Sequence, residues 1–191
     1  VLASNVALAS GVATFTTTAL SAGVHSIGAF YTSSDTNLFS SGSTSLSQTV
    51  NQATTAMALA SSANPSVFGQ SVTLTASLTV TAPGAGIPAG QQVSFLDGTT
   101  TIGTGTLNAS GVATFSSSAL VVGMHPITAS YSGDANRTAV TTSSLAQTVS
   151  RAATSVAVTS SANPTILGQV IVFNATVVPT SPGAGAPTGT V

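Results

Sequence analysis

Val72-Thr73-Leu74-Thr75-Ala76-Ser77-Leu78-Thr79 alternates apolar and hydroxyl side chains without a break. A period of two sends alternate residues to opposite faces of a strand, so the stretch reads as a β-strand with one buried and one wet face. Downstream, Val93 and Phe95 mark a second strand that ends at the hairpin signal Asp97-Gly98. Thr100–Thr106 returns with Ile102 inside, Asn108-Ala109-Ser110-Gly111 turns, and Val112–Phe115 is a short strand. His125, Ile127, Ala129 and Tyr131 alternate with Met124, Pro126, Thr128 and Ser130, and Leu145, Gln147 and Val149 close the series. Upstream, Ala53–Ala60 opens it, and Asn64-Pro65 interrupts pairing as at a strand that switches sheets or runs along an edge. Thr81–Gly90, with Pro83, Gly84, Gly86, Pro88 and Gly90, is a long turn-rich loop. About seven short strands and no helical period imply an all-β sandwich.

The same series recurs along the chain. Gly11-Val12-Ala13-Thr14-Phe15 matches Gly111-Val112-Ala113-Thr114-Phe115, and Gly23, His25 and Tyr31 match Gly123, His125 and Tyr131, all at an offset of 100. After Tyr31 the offset is 99: Gln48-Thr49-Val50 matches Gln147-Thr148-Val149, Ser62-Ala63-Asn64-Pro65 matches Ser161-Ala162-Asn163-Pro164, and Pro83-Gly84-Ala85-Gly86 matches Pro182-Gly183-Ala184-Gly185. A fixed period indicates one structural module used several times. Residues 51–150 are one complete module, 1–50 the C-terminal half of another and 151–191 the N-terminal half of a third. Val191 aligns near Gln92 and Val1 near Thr101, so the 191 residues and about eight more make two periods. A half-module of this size hides too little surface to hold a core. Each half therefore needs completing, either by further repeats of a longer chain or by a neighbouring subunit. The joint Val149-Ser150-Arg151-Ala152 is very short, which predicts restricted hinging.

Composition narrows the partners. Hydrophobic residues make 42% of the chain and charged residues 3%, with no Lys, no Glu and a net charge of −1. Arg137 and Arg151 are the only cations besides two His, and Asp35, Asp97 and Asp134 the only acids. No basic patch exists to neutralise phosphates or to hold an anionic membrane, so nucleic-acid binding is not expected. No apolar run approaches the ~20 residues of a membrane span. Cysteine is absent, which excludes disulfides and thiolate metal sites. No basic leader precedes Val1, as in a processed or internal segment. A surface built from Ser and Thr with net charge near zero favours self-association.

The motifs Asn64-Pro65, Phe68-Gly69-Gln70, Val72-Thr73-Leu74-Thr75-Ala76, Asp97-Gly98, Gly111-Val112-Ala113-Thr114-Phe115, Tyr131-Ser132-Gly133-Asp134 and Gln147-Thr148-Val149 closely resemble those of bacterial Ig-like repeat domains. The resemblance covers the whole chain. It implies tandem immunoglobulin-like β-sandwiches of a long extracellular or cell-surface protein, serving as stalk, adhesin or structural element, with no catalytic motif. The Trp and the Cys pair of antibody domains are missing, so the core rests on aliphatic and Phe/Tyr packing.

Candidate chemistry is sparse. His25 and His125 are the only imidazoles, one per module, with no co-ligand beside them, and read as structural. Asp97 and Asp134 stand in turn contexts, where Asp bonds its own backbone. Glycoside hydrolysis would need them to face one bond, and calcium would need about six to eight oxygens. Ser116-Ser117-Ser118 lacks an adjacent His and acid, and Gly84-Ala85-Gly86 lacks the Lys and helix of a phosphate loop. No catalytic, cofactor-binding or metal-ligating residue is assigned, and no cofactor is expected. Three sequons begin at Asn108, Asn136 and Asn174 and are candidate glycosylation sites. The expectation is a non-enzymatic extracellular rod, stalk or filament whose partners are neighbouring copies of the repeat, covalent or head to tail. The alternative is an adhesin or a carbohydrate- or surface-binding module.

Overall fold

The computed structural model describes residues 2–191; Val1, the first residue of the half-module expected over 1–50, lies outside the described residues. All regular structure among the described residues is β. Strands β1 (Gly23–Ile27), β2 (Phe30–Tyr31), β3 (Ser41–Gly42) and β4 (Leu46–Val50) come first. Then follow β5 (Thr55–Ser61), β6 (Ser66–Val67), β7 (Val72–Val80), β8 (Gln92–Asp97), β9 (Thr100–Thr106), β10 (Val112–Ser117), β11 (Gly123–Tyr131), β12 (Val140–Thr141) and β13 (Leu145–Ser150). Strands β14 (Thr154–Ser160) and β15 (Phe173–Pro179) are last.

Strands β5–β13 build a two-sheet, Ig-like sandwich. One sheet has the order β10-β7-β5; the other has β6-β13-β11-β8-β9, with β12 added on β11. The Asn64-Pro65 interruption acts as its sequence suggests: β5 pairs with β7 in one sheet, and after it β6 pairs in parallel with β13 in the other. The alternation in β7 is realised residue by residue, with Val72, Leu74, Ala76 and Leu78 buried and Thr73, Thr75, Ser77 and Thr79 on the outer face. Val93, Phe95, Ile127, Ala129 and Tyr131 face them from the second sheet and close a core with Leu107 and Ala113. Burying a side chain such as Leu74 or Phe95 contributes about 1.5–3 kcal/mol each. The Phe95 and Phe115 rings stack with centroids 5.8 Å apart.

The flanking stretches repeat these registers without a second sheet opposite. In β1–β4, His25 lies opposite Gln48 as His125 lies opposite Gln147 in β11–β13. In β14–β15, Ser160 lies opposite Phe173 as Ser61 lies opposite Leu74 in β5–β7. The consequence for burial is large: Phe173 is 68% exposed, whereas Leu74, its equivalent in the sandwich, is 2% exposed.

Candidate functional site

The sandwich concentrates its ionisable side chains at the two ends of β11. At the first, β11 begins with His125 and β8 ends with Asp97, brought side by side because Ile127 pairs with Asp97 in the ladder. The hairpin turn is Gly98-Thr99, with Gly98 at φ +59° and Asp97 paired with Thr100, so Asp97 belongs to the strand and not to the turn that its dipeptide suggested. Its carboxylate is thereby freed from turn bonding. His125 Nδ1 donates to Asp97 Oδ2 at 2.6 Å and Nε2 lies 2.8 Å from Val121 O. A carboxylate and a carbonyl only accept, so both contacts are hydrogen bonds only when the ring is an imidazolium. The Val121 carbonyl raises the His125 pKa above its ordinary value, burial opposes it, and Asp97 adds to the rise. The side chains are 10% and 26% exposed. In the first stretch His25 keeps the corresponding backbone bond, to Ser21 O at 2.8 Å.

Beside this pair lies an open depression of about 310 Å³ lined by Ile102, Ser117, Ala119, Leu120 and Val121. Ser117, His125 and Asp97 thus share one hollow, the residue types of a hydrolytic triad. The geometry does not complete one. Nucleophilic activation needs an imidazole nitrogen free to take the serine proton, and both nitrogens of His125 are occupied, while Ser117 Oγ accepts from the Ala119 N–H at 3.1 Å. The pair acts as a clamp on the loop that carries Val121.

At the other end of β11, Tyr131 donates to Asp134 Oδ2 at 3.0 Å, and Arg137 Nη1 donates to the same oxygen at 3.0 Å. Arg137 Nε donates to Gly86 O at 2.7 Å and the Asn136 N–H to Asp134 Oδ1 at 2.8 Å. Burial alone would raise the Asp134 pKa, but the Asn136 N–H, the Tyr131 hydroxyl and the guanidinium outweigh it and hold the carboxyl below its usual value. Burial and the Asp134 carboxylate push the Tyr131 phenol up to about 12. Tyr131 is 1% exposed, so its ring offers no platform for stacking a sugar. Sequence reasoning placed Asp134 in a turn, where it is, but did not anticipate the Tyr131 and Arg137 partners; Arg137, three residues on and one of two arginines, was the available signal. No group of three or more His, Asp or Glu side chains suited to a metal exists among the described residues.

Gln147 is the buried polar centre between these ends. Its Oε1 accepts from Ser61 Oγ at 2.6 Å, and its Nε2 donates to Ala63 O at 2.9 Å and Ser66 Oγ at 3.2 Å. It therefore pins both sides of the sheet switch at Asn64-Pro65. Of the sequon residues, Asn108 Oδ1 accepts from the Ser110 and Val112 N–H groups, Asn136 Oδ1 accepts from the Ala22 N–H, and Asn174 stands on β15; all three are exposed.

The bacterial Ig-like domain (group 3) family matches residues 59–150. No curated protein and no solved structure matches the chain. Domains of that family are generally surface or extracellular modules of structural or adhesive kind and are typically non-catalytic. No helix among the described residues is long and apolar enough to cross a membrane.

Proposed function

We propose, from the match of residues 59–150 to the bacterial Ig-like domain family of group 3, that the chain is a run of Ig-like repeats forming a non-enzymatic extracellular rod, stalk or filament. In this reading 51–150 is a whole repeat, and 1–50 and 151–191 are the C-terminal and N-terminal halves of two others. Neighbouring repeats or subunits complete them. The observation that carries the reading is the pair of half-sandwiches, each holding a register of the whole sandwich; β14–β15 exposes Phe173 where the sandwich buries Leu74, and β1–β4 leaves Ile27 half-buried where the sandwich buries Ile127 completely. Phe173 at 68% and Val158 at 65% exposure are faces shaped for a second sheet. Exposed Asn108, Asn136 and Asn174 are the glycan acceptors in this proposal.

The test compares the mass of the fully denatured native chain with the size of the undenatured particle. A denatured chain many times larger than 18.4 kDa, or an 18.4 kDa chain in a large native polymer, supports repeats completing one another. An 18.4 kDa chain that remains a compact monomer overturns the reading.

A further inference from the structure

The sandwich touches its neighbours at both ends. At one, the Ala184 N–H donates to Phe68 O at 3.1 Å. A Cβ on Gly69 would stand 2.5 Å from Ala184 O, and one on Gly185 would stand 3.1 Å from the Phe68 ring. At the other end, the Ala22 N–H donates to Asn136 Oδ1 at 2.8 Å.

Residue equivalence merges the two into one interface. Ala22 corresponds to Val122 at the offset of 100, and Val122 lines the same hollow of about 180 Å³ as Phe68, Ala184 and Gly185. Gly86 corresponds to Gly185, and Arg137 donates to the Gly86 carbonyl, which ties the loop bearing Asn136 to the loop bearing Ala85-Gly86. Each repeat thus owns a tail face, built on Phe68, Gly69 and Val122, and a head face, built on the Gly86 loop and Asn136. A third copy of the tail is visible at Leu167-Gly168. Gly168 repeats the φ of Gly69, +88° against +81°.

We infer that head and tail form one composite joint that fixes each repeat on the next, the partner being another copy of the repeat. On the tail side the joint offers the carbonyl of residue 68 and the N–H of residue 122. On the head side it offers the N–H of residue 184 and an Asn equivalent to Asn136. A glycine after Phe68 leaves room for the incoming backbone. This rests on the tandem reading above.

The test is residue-resolved amide hydrogen exchange on the whole chain, with the Leu78 and Ala129 amides as reporters of the core. In the parent chain the Ala184 and Ala22 amides exchange slowly relative to unstructured peptide. Phe68→Ser speeds Ala184 roughly tenfold or more, and Asn136→Ala does the same to Ala22, while the core reporters hold. Phe68→Leu, which installs the residue found at 167, retains the protection and serves should Phe68→Ser unsettle the fold. Unprotected Ala184 and Ala22 amides in the parent chain, or variants that leave them unchanged, overturn the joint. The mass comparison fails or stands separately: a long chain with unprotected joint amides keeps the repeats and removes only the fixed joint.

Discussion

Replacing Asp97 with Asn keeps the shape of the His125 clamp and removes its charge. The contact spans 2.6 Å, with the imidazole only 10% exposed. Hydrogen bonds to charged groups contribute about 1.5–3 kcal/mol and neutral ones about 0.5–1.5 kcal/mol; the Asn amide oxygen still accepts from His125, so Asp97→Asn is expected to cost the difference, about 1 kcal/mol, near pH 6. The sign of the pH dependence follows from the direction of the shift. His125 has its folded pKa raised above 6.5, so its contribution is complete below that pH and is lost as the pH rises through the folded value. Stability of the parent chain should therefore fall from pH 6.5 upward. Asp97→Asn should fall less steeply, but not run flat, because the Val121 carbonyl is the larger cause of the shift and survives the change. Urea unfolding followed by the near-ultraviolet dichroism of Tyr131, buried at 1% exposure, reads the midpoint at each pH. A parent midpoint that stays level or rises across this window, or a variant as steep as the parent, would refute the imidazolium clamp.

Two further changes test the packing. Gln147→Met keeps the volume but removes the amide's bonds to Ser61, Ala63 and Ser66; Ser61 Oγ still reaches Ala63 O at 3.1 Å, so a loss of about 1–3 kcal/mol is expected in urea unfolding, against near-neutrality if water replaces the amide. Gly103→Ala drives a Cβ into the Phe115 ring, which stacks on Phe95; overpacking of this kind costs about 1–3 kcal/mol, read as a fall in melting temperature, and an unchanged melting curve would show that the ring swings clear.

The core was legible because a period of two is a direct statement about faces. Leu74, Phe95, Ile127 and Tyr131 were all placed by alternation alone, and all are buried to 2% or less. The sheet switch was legible for a similar reason, since a residue without an N–H interrupts a ladder at a known place. The polar partnerships were not. Asp97-Gly98 reads locally as a turn, and only the ladder, which sets Asp97 opposite Ile127, carries the carboxylate to a histidine 28 residues away. Gln147 reads as the apolar-face member of an alternating strand, and its partners Ser61, Ala63 and Ser66 lie more than 80 residues upstream. Gly103 and Gly105 carried a usable signal: glycine inside a strand marks a close approach, and here Phe115 and Thr114 press against them.

The placement of the few charges follows one logic. The sides of the sandwich are paved with Thr, Ser and Ala and have no direction of their own. Asp97 and His125 clamp the loop next to Val122 at one end, Arg151 lines the hollow between Phe68 and Ala184, and Asp134 with Arg137 braces the loops at the other end. Asp35 repeats the Asp134 arrangement, its Oδ1 accepting from the Asn37 N–H at 2.8 Å as Asp134 Oδ1 accepts from Asn136. Hydrogen bonds to charged groups are directional and lose energy steeply when misaligned, whereas apolar contact tolerates sliding. Charges gathered at the two ends of the sandwich leave its flanks bland and, in the joint proposed above, would orient one repeat on the next.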